Sequence, residues 1–249
     1  MKKIRSALIS VSDKTNLKPL LKILKKNKIM LISSGGTFNT IQKLKFKCQE
    51  VSKFTGFREI LDGRVKTLHP RIHAGILNKR NNKSHQKDLN KNNFENIDLV
   101  IVNFYPFEKT LKKNKNHDHI IENIDIGGPT MVRAAAKNYN DVTVITSTNQ
   151  YSELINEIEN NKGFTSLEFR KKMSCVAFTE TAYYDSVITD YLNKISNINF
   201  PQKKISHANL IEKLRYGENP HQESAIYSQS DNLKINKIHG KQLSYNNYN

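Results

Sequence analysis

This sequence has two cysteines in 249 residues and no apolar run near the roughly 18 residues that a membrane span requires. Cys48 and Cys175 stand far apart, which gives neither a disulfide framework nor a metal-knuckle spacing and leaves packing as their expected role. The basic start MKKIRSALISVSDK breaks into polar residues before an apolar signal core forms, so the protein is expected in the cytoplasm with no membrane partner. Negative charge is also short: 23 Asp and Glu face 40 Lys and Arg, a net charge of +17. Such a surplus attracts nucleic acid, anionic membrane or phosphorylated metabolites, and cannot choose among them. The lysines are scattered beside Asn and Ile in every segment rather than gathered on one stripe with interleaved aromatics, a pattern of codon bias, so no nucleic-acid partner is expected. At 37% hydrophobic residues the chain can bury a real core.

What is present is an alternation of short apolar runs and helical periodicity. ALISV at Ala7–Val11 reads as a strand, and Leu17, Leu20, Leu21 and Leu24 then recur at helical spacing, with Thr15 as the expected cap and Pro19 in the first turn. A second strand, IMLI, runs into SSGGT, where a Gly-rich loop before a helix capped by Thr37 would present amides and a positive dipole end to a phosphate. DGRVKTLHPRIHAGIL packs Asp62, Arg64, Lys66, Thr67, His69, Arg71 and His73 into a short span, and alternation puts Arg64 and Lys66 on one side of an extended segment. Pro70 between His69 and His73 argues against one helix running through both, no third ligand is evident, and no metal is expected.

Residues 78–96 are polar and read as an exposed loop or loosely held helix. IDLVIVNF at 97–104 is a strand of the kind buried on both faces of a parallel sheet, and its end brings Asn103 and Tyr105 to where ligands bind. IDIGGPTMVRAAAK at 124–137 is a loop feeding a helix that Pro129 is expected to open, with Asp125 just before it and Arg133 and Lys137 on one face. DVTVIT follows as a strand, then a helix near Asn149 and a long helix from Ser166 to about Ile195, whose Tyr183, Tyr184 and Tyr191 face a core or a dimer partner. The order is that of a parallel α/β sheet with helical extensions. From Asn197 the pattern changes to linker-like sequence, and LRYGENPHQESAIY opens what reads as a second domain that stops before it can close a core.

SVSDKT, SSGGT, DGRVKTLHPRIHAGIL, VNFYPF, IDIGGPTMVRAAAKN and LRYGENPHQ, in this order and at these intervals, resemble the bifunctional purine biosynthesis enzymes that are both AICAR formyltransferase and IMP cyclohydrolase. The resemblance covers almost the whole chain. It implies a cyclohydrolase domain at 1–196 with a methylglyoxal-synthase-like fold, an α/β parallel sheet wrapped by helices, and at 197–249 a linker and truncated start of the formyltransferase domain. The implied reaction closes 5-formamidoimidazole-4-carboxamide ribonucleotide to IMP with loss of water and no cofactor. Formyl transfer from 10-formyltetrahydrofolate is not expected, because that domain is cut short.

By the same resemblance Lys137 and Asp125 handle protons and orient, Lys66 stabilises the oxyanion, and Tyr105 hydrogen-bonds nearby. Phosphate and ribose fall to Ser12, Asp13, Lys14, Ser34, Gly35, Gly36, Thr37, Arg64, Val65, Lys66 and Thr67, and the base to Val102, Asn103 and Ile126. Arg215 and Tyr216 correspond to residues that bind the formyltransferase substrate. A homodimer is implied. The rival expectation is a nucleotide-binding regulatory module without catalysis, since methylglyoxal-synthase-like domains also serve as allosteric ligand sites.

Overall fold

A computed structural model describes residues 1–113, 116–229 and 239–247. Its strands are β1 Lys2–Lys3, β2 Ser6–Val11, β3 Met30–Ser33, β4 Gln49–Glu50, β5 Leu99–Asn103, β6 Thr143–Ile145, β7 Phe164–Thr165, β8 Asn209–Lys213 and β9 Ala225–Ser228. The helices are α1 Leu17–Lys26, α2 Gly35–Lys43, α3 Val51–Thr55, α4 Pro70–Leu77, α5 Lys83–Lys91, α6 Phe107–Lys113, α7 His117–Glu122, α8 Gly127–Lys137, α9 Tyr151–Asn160 and α10 Leu167–Ile195. Contacts divide the chain into a unit Met1–Asp185 and a unit Ser186–Asn249, the latter holding the antiparallel pair β8–β9.

The first unit is built on a parallel sheet of order β4-β3-β2-β5-β6, with β1 and β7 pairing separately and antiparallel. Ala7, Leu8 and Ile9 are consecutive, yet each has no exposed surface, as do Leu99, Val100 and Ile101 opposite them. Successive strand residues face opposite sides, so both faces of the sheet are covered. Helices do the covering: α1 packs with α9, and α8 lies against α4, β5 and β6. The α/β parallel sheet wrapped by helices is the fold the sequence implied.

Local details differ from the sequence reading. Asn16, not Thr15, precedes the first turn of α1, and the Thr15 N–H is instead taken by Asp13 Oδ1 at 2.8 Å. Helix α2 begins at Gly35 after Ser34, so Thr37 does not cap it. The Thr37 hydroxyl is buried against the end of β2, accepting from Val11 N at 3.0 Å and donating to Val11 O at 2.9 Å. Pro129 is the third residue of α8 rather than the first, a position whose N–H also has no intrahelical partner. Within 78–96 a definite helix, α5, forms behind an Asn82 cap. Cys48 packs against the core and burial pushes its thiol up to about 12, whereas Cys175 is exposed.

The end of the sheet where β2 and β5 start is tied by buried charge. Asp98 accepts from Arg5 N at 2.9 Å and from the Arg80 guanidinium at 3.3 Å, and Arg80 also donates to Ile97 O and Asn78 O, each at 2.8 Å. Arg80 N binds Asp141, which pairs with Lys2 at 2.6 Å. Burial lowers the Arg80 pKa, opposed by Asp98 and Asp141. Removing one partner leaves a buried charge uncompensated, so Asp98→Ala is expected to cost about 3 kcal/mol in denaturant unfolding. A loss under about 0.5 kcal/mol would show that the network is not part of what holds this edge.

Candidate functional site

At the opposite, carboxyl end of β2, β3 and β5 the loops enclose a cleft of about 920 Å³. This is where ligands lie in parallel α/β sheets. Asn103, the last residue of β5, sets the first wall. Its Oδ1 accepts from Ser12 N at 2.6 Å and Asp13 N at 2.9 Å, and its Nδ2 donates to Asp13 O at 2.9 Å, so one amide side chain shapes the loop after β2. Asp13 turns to Thr15, whose side chain and amide hold its carboxyl below the ordinary value.

The second wall is the start of α2. Gly35 has φ +53°, a left-handed conformation that favours glycine, and a Cβ there would lie 3.4 Å from Lys66 Nζ. The first intrahelical bond is Phe38 N to Ser34 O, so the preceding amides have no partner within the helix and carry its positive dipole end.

The third wall centres on Asp125. Its Oδ1 accepts from Gly128 N at 2.8 Å, and the Tyr105 backbone N–H also bonds the carboxylate. Its own N–H donates to Tyr184 Oη at 2.8 Å, reaching α10. Tyr184 is buried, its ring 5.1 Å from Phe104, and burial pushes its hydroxyl up to about 12. Burial raises the Asp125 pKa above the ordinary carboxylate value, and the two backbone bonds only partly offset this. A Cβ at Gly128 would sit 2.5 Å from Asp125 Oδ2, so glycine is what lets the carboxylate close onto the helix. Lys66 completes the group from the fourth side, 2.5 Å from Glu59. A cleft that is lined by a carboxylate of raised pKa, a lysine and free helix amides can take a proton, stabilise a developing oxyanion and hold a phosphate.

Two family models match the chain, the MGS-like domain over residues 16–130 and the AICARFT/IMPCHase bienzyme over 135–249. It is 48% identical over 250 residues to the bifunctional purine biosynthesis protein PurH of Lactobacillus acidophilus, covering 98% of this chain and 48% of that protein. The PurH of Bradyrhizobium diazoefficiens is 43% identical over 252 residues, covering 100% of this chain and 48% of its own. The chain belongs to the PurH family. It spans about half the length of the curated relatives it matches. Among solved structures, a chain titled crystal structure of ForH superposes with a TM-score of 0.68 at 26% identity, covering 76% of this chain and 99% of that one.

The structure brings most of the predicted residues to this one cleft. Ser12, Lys14 and Asn103 line it, as do Ser34, Gly35, Gly36 and Thr37, and so do Arg64, Lys66, Thr67, Tyr105, Asp125 and Ile126. Four do not line it. Asp13 faces Thr15, Val65 pairs with Ile60 across a turn, and Val102 is buried in the sheet. Lys137 is exposed in the last turn of α8, roughly 15 Å of helix beyond the end where Asp125 sits. Arg215 and Tyr216 belong to the other unit, the guanidinium lying 5.3 Å from the Tyr216 ring centroid. His69 caps α4, its Nδ1 accepting from Arg71 N, and among the described residues no three His, Cys, Asp or Glu side chains group as a metal site. No described helix is long and apolar enough to cross a membrane. A second, shallower depression of about 540 Å³ beside Arg80 and the lysines of α5 holds none of the predicted residues.

Sequence reasoning missed Tyr184, Glu59 and Glu122. Helical periodicity shows the tyrosines of α10 only as a core or dimer face, and nothing across a separation of 59 positions signals that Tyr184 reaches Asp125. Because the folded protein favours the protonated Asp125, stability falls as pH rises from the ordinary carboxylate range through the raised value. Asp125→Asn keeps an acceptor for Gly128 N and removes the charge. It is expected to raise the melting temperature at pH 7 by a few degrees, with the gain vanishing at acid pH where both side chains are neutral. A lowered melting temperature at pH 7 would contradict the buried-charge account.

Proposed function

We propose that residues 1–196 form an IMP cyclohydrolase domain, which closes 5-formamidoimidazole-4-carboxamide ribonucleotide to IMP with loss of water. The observation that carries this reading is that one cleft is lined by Asp125, with its raised pKa, by Lys66 and by the first residues of α2. An amide nitrogen is a poor nucleophile. In the proposed reaction the carboxamide nitrogen attacks the formyl carbon, the formyl oxygen gains negative charge beside Lys66, and the nitrogen's proton passes to Asp125. Asp125 returns that proton to the oxyanion to give the carbinolamine, whose hydroxyl then leaves as water with the proton of the formamido nitrogen as the ring C=N bond forms. Tyr105, exposed at the rim, hydrogen-bonds the reacting amide. The 5′-phosphate lies on the amides of Ser34–Thr37 and on Arg64, with Ser12 and Lys14 at the ribose, and the base rests against Asn103 and Ile126. Both reacting groups belong to one molecule, so holding them in near-attack geometry removes much of the barrier.

In this proposal the reaction needs neither metal nor redox cofactor, and the protein works in the cytoplasm as a homodimer. Residues 197–249 form a linker and the opening of the formyltransferase domain, where Arg215 and Tyr216 belong to the AICAR site and 10-formyltetrahydrofolate is the donor. The role that family resemblance gives Lys137 requires a second copy of the chain, because within one chain it lies at the far end of α8. Loss of turnover in Lys137→Ala would therefore report on the dimer.

Ring closure can be followed by ultraviolet absorbance. Lys66→Ala and Asp125→Asn are each expected to lower kcat by about 10²–10³-fold while IMP still binds. The acid limb of kcat/KM in the wild type is expected above the ordinary carboxylate range, and Asp125→Asn should remove it. Tight IMP binding without turnover in the wild type would instead favour a sensing module.

A further inference from the structure

The two cations on the 64–66 segment are both occupied by carboxylates of the protein itself. Lys66 is paired with Glu59, a residue of the same loop. Arg64 is different. Its Nε and Nη2 meet both oxygens of Glu122, at 3.1 and 2.9 Å, and Glu122 is the last residue of α7, on the other wall of the cleft. Both residues line the cleft.

Three features of this pair bear on its role. It is fork to fork, which is the geometry that arginine also uses to grip a phosphate. It is exposed, with 63% and 58% of the two side chains accessible, so it adds little to folding stability. Arg64 also directly follows a turn in which Leu61, Asp62 and Gly63 all have positive φ, at 55°, 52° and 89°. Leu61 has no polar side chain to support that conformation and is itself 65% exposed. The turn bearing Arg64 is thus linked across the cleft to a carboxylate that occupies the guanidinium fork.

We propose that Glu122 is a specificity-determining residue, an internal anion that holds the Arg64 fork until the phosphate of a ribonucleotide displaces it. The inference rests on the reading of the cleft as a purine ribonucleotide site. A phosphate offers Arg64 the same two-oxygen fork with up to twice the charge, so exchange with Glu122 is favourable. A nucleoside without phosphate offers nothing to the guanidinium, and the Arg64–Glu122 pair stays closed beside it. Glu122 therefore costs the phosphorylated ligand some affinity, and that cost ties opening of the rim to the presence of the phosphate.

Calorimetric titration of IMP and of inosine into the wild type, Glu122→Gln, Arg64→Gln and the double variant tests this, with melting curves to establish that each variant folds. Glu122→Gln is expected to bind IMP about two- to fivefold more tightly, the size of effect that relief of an exposed ion pair gives, with inosine unchanged. Arg64→Gln should weaken IMP, and in that background Glu122→Gln should have no effect. Unchanged or weaker IMP binding in Glu122→Gln, or an equal gain for inosine, would overturn the proposal. Wild type that binds no IMP would overturn the cyclohydrolase reading and this inference with it. Wild type that binds IMP with no gain in Glu122→Gln overturns the inference alone.

Discussion

The seating of Asp125 is the constraint on which the cleft depends. One residue joins the first turn of α8 through Gly128 N, the segment after β5 through the Tyr105 N–H, and α10 through Tyr184 Oη. These contacts hold a carboxylate where burial disfavours its charge, and they resist its most direct relaxation, which would be to swing into water. The fold thus spends stability on a group poised to take up a proton. The charged Arg80, Asp98 and Asp141 at the other end of the sheet satisfy one another instead, and that end is structural.

Topology explains why these groups meet. All five strands of the central sheet are parallel, so the loops that follow β2, β3 and β5 emerge on one edge, although they lie as far apart in sequence as Ser12 and Asn103. Asn103 and Thr37 then stitch two of those loops to the strand ends through side chain to backbone bonds, which ties the start of α2 to the cleft that Asp125 also lines. Precision in the cleft follows from short buried strands rather than from the loops themselves.

Much of this was legible in the sequence because it is locally encoded. Buried parallel strands show as continuous apolar runs, which is why ALISV and IDLVIVNF located β2 and β5. Glycines next to a carboxylate marked the start of α8, although the helix began two residues before Pro129, since proline is tolerated anywhere in a first turn. Thr37 looked like a cap because threonine commonly is one, yet its hydroxyl had a better use against β2. Tyr184, Glu59 and Glu122 were not legible: each acts through contacts that only tertiary closure creates. Lys137 illustrates the converse, a residue marked by its motif that the helix carries away from the cleft.

The most direct test of the account is a crystal structure of the protein with IMP bound. The account predicts the purine ring edge formed by ring closure between Asp125 and Lys66, and the phosphate on the amides of Ser34–Thr37. IMP bound away from this cleft, or lying in it with its phosphate against Asp125 and its base on the α2 amides, would contradict it.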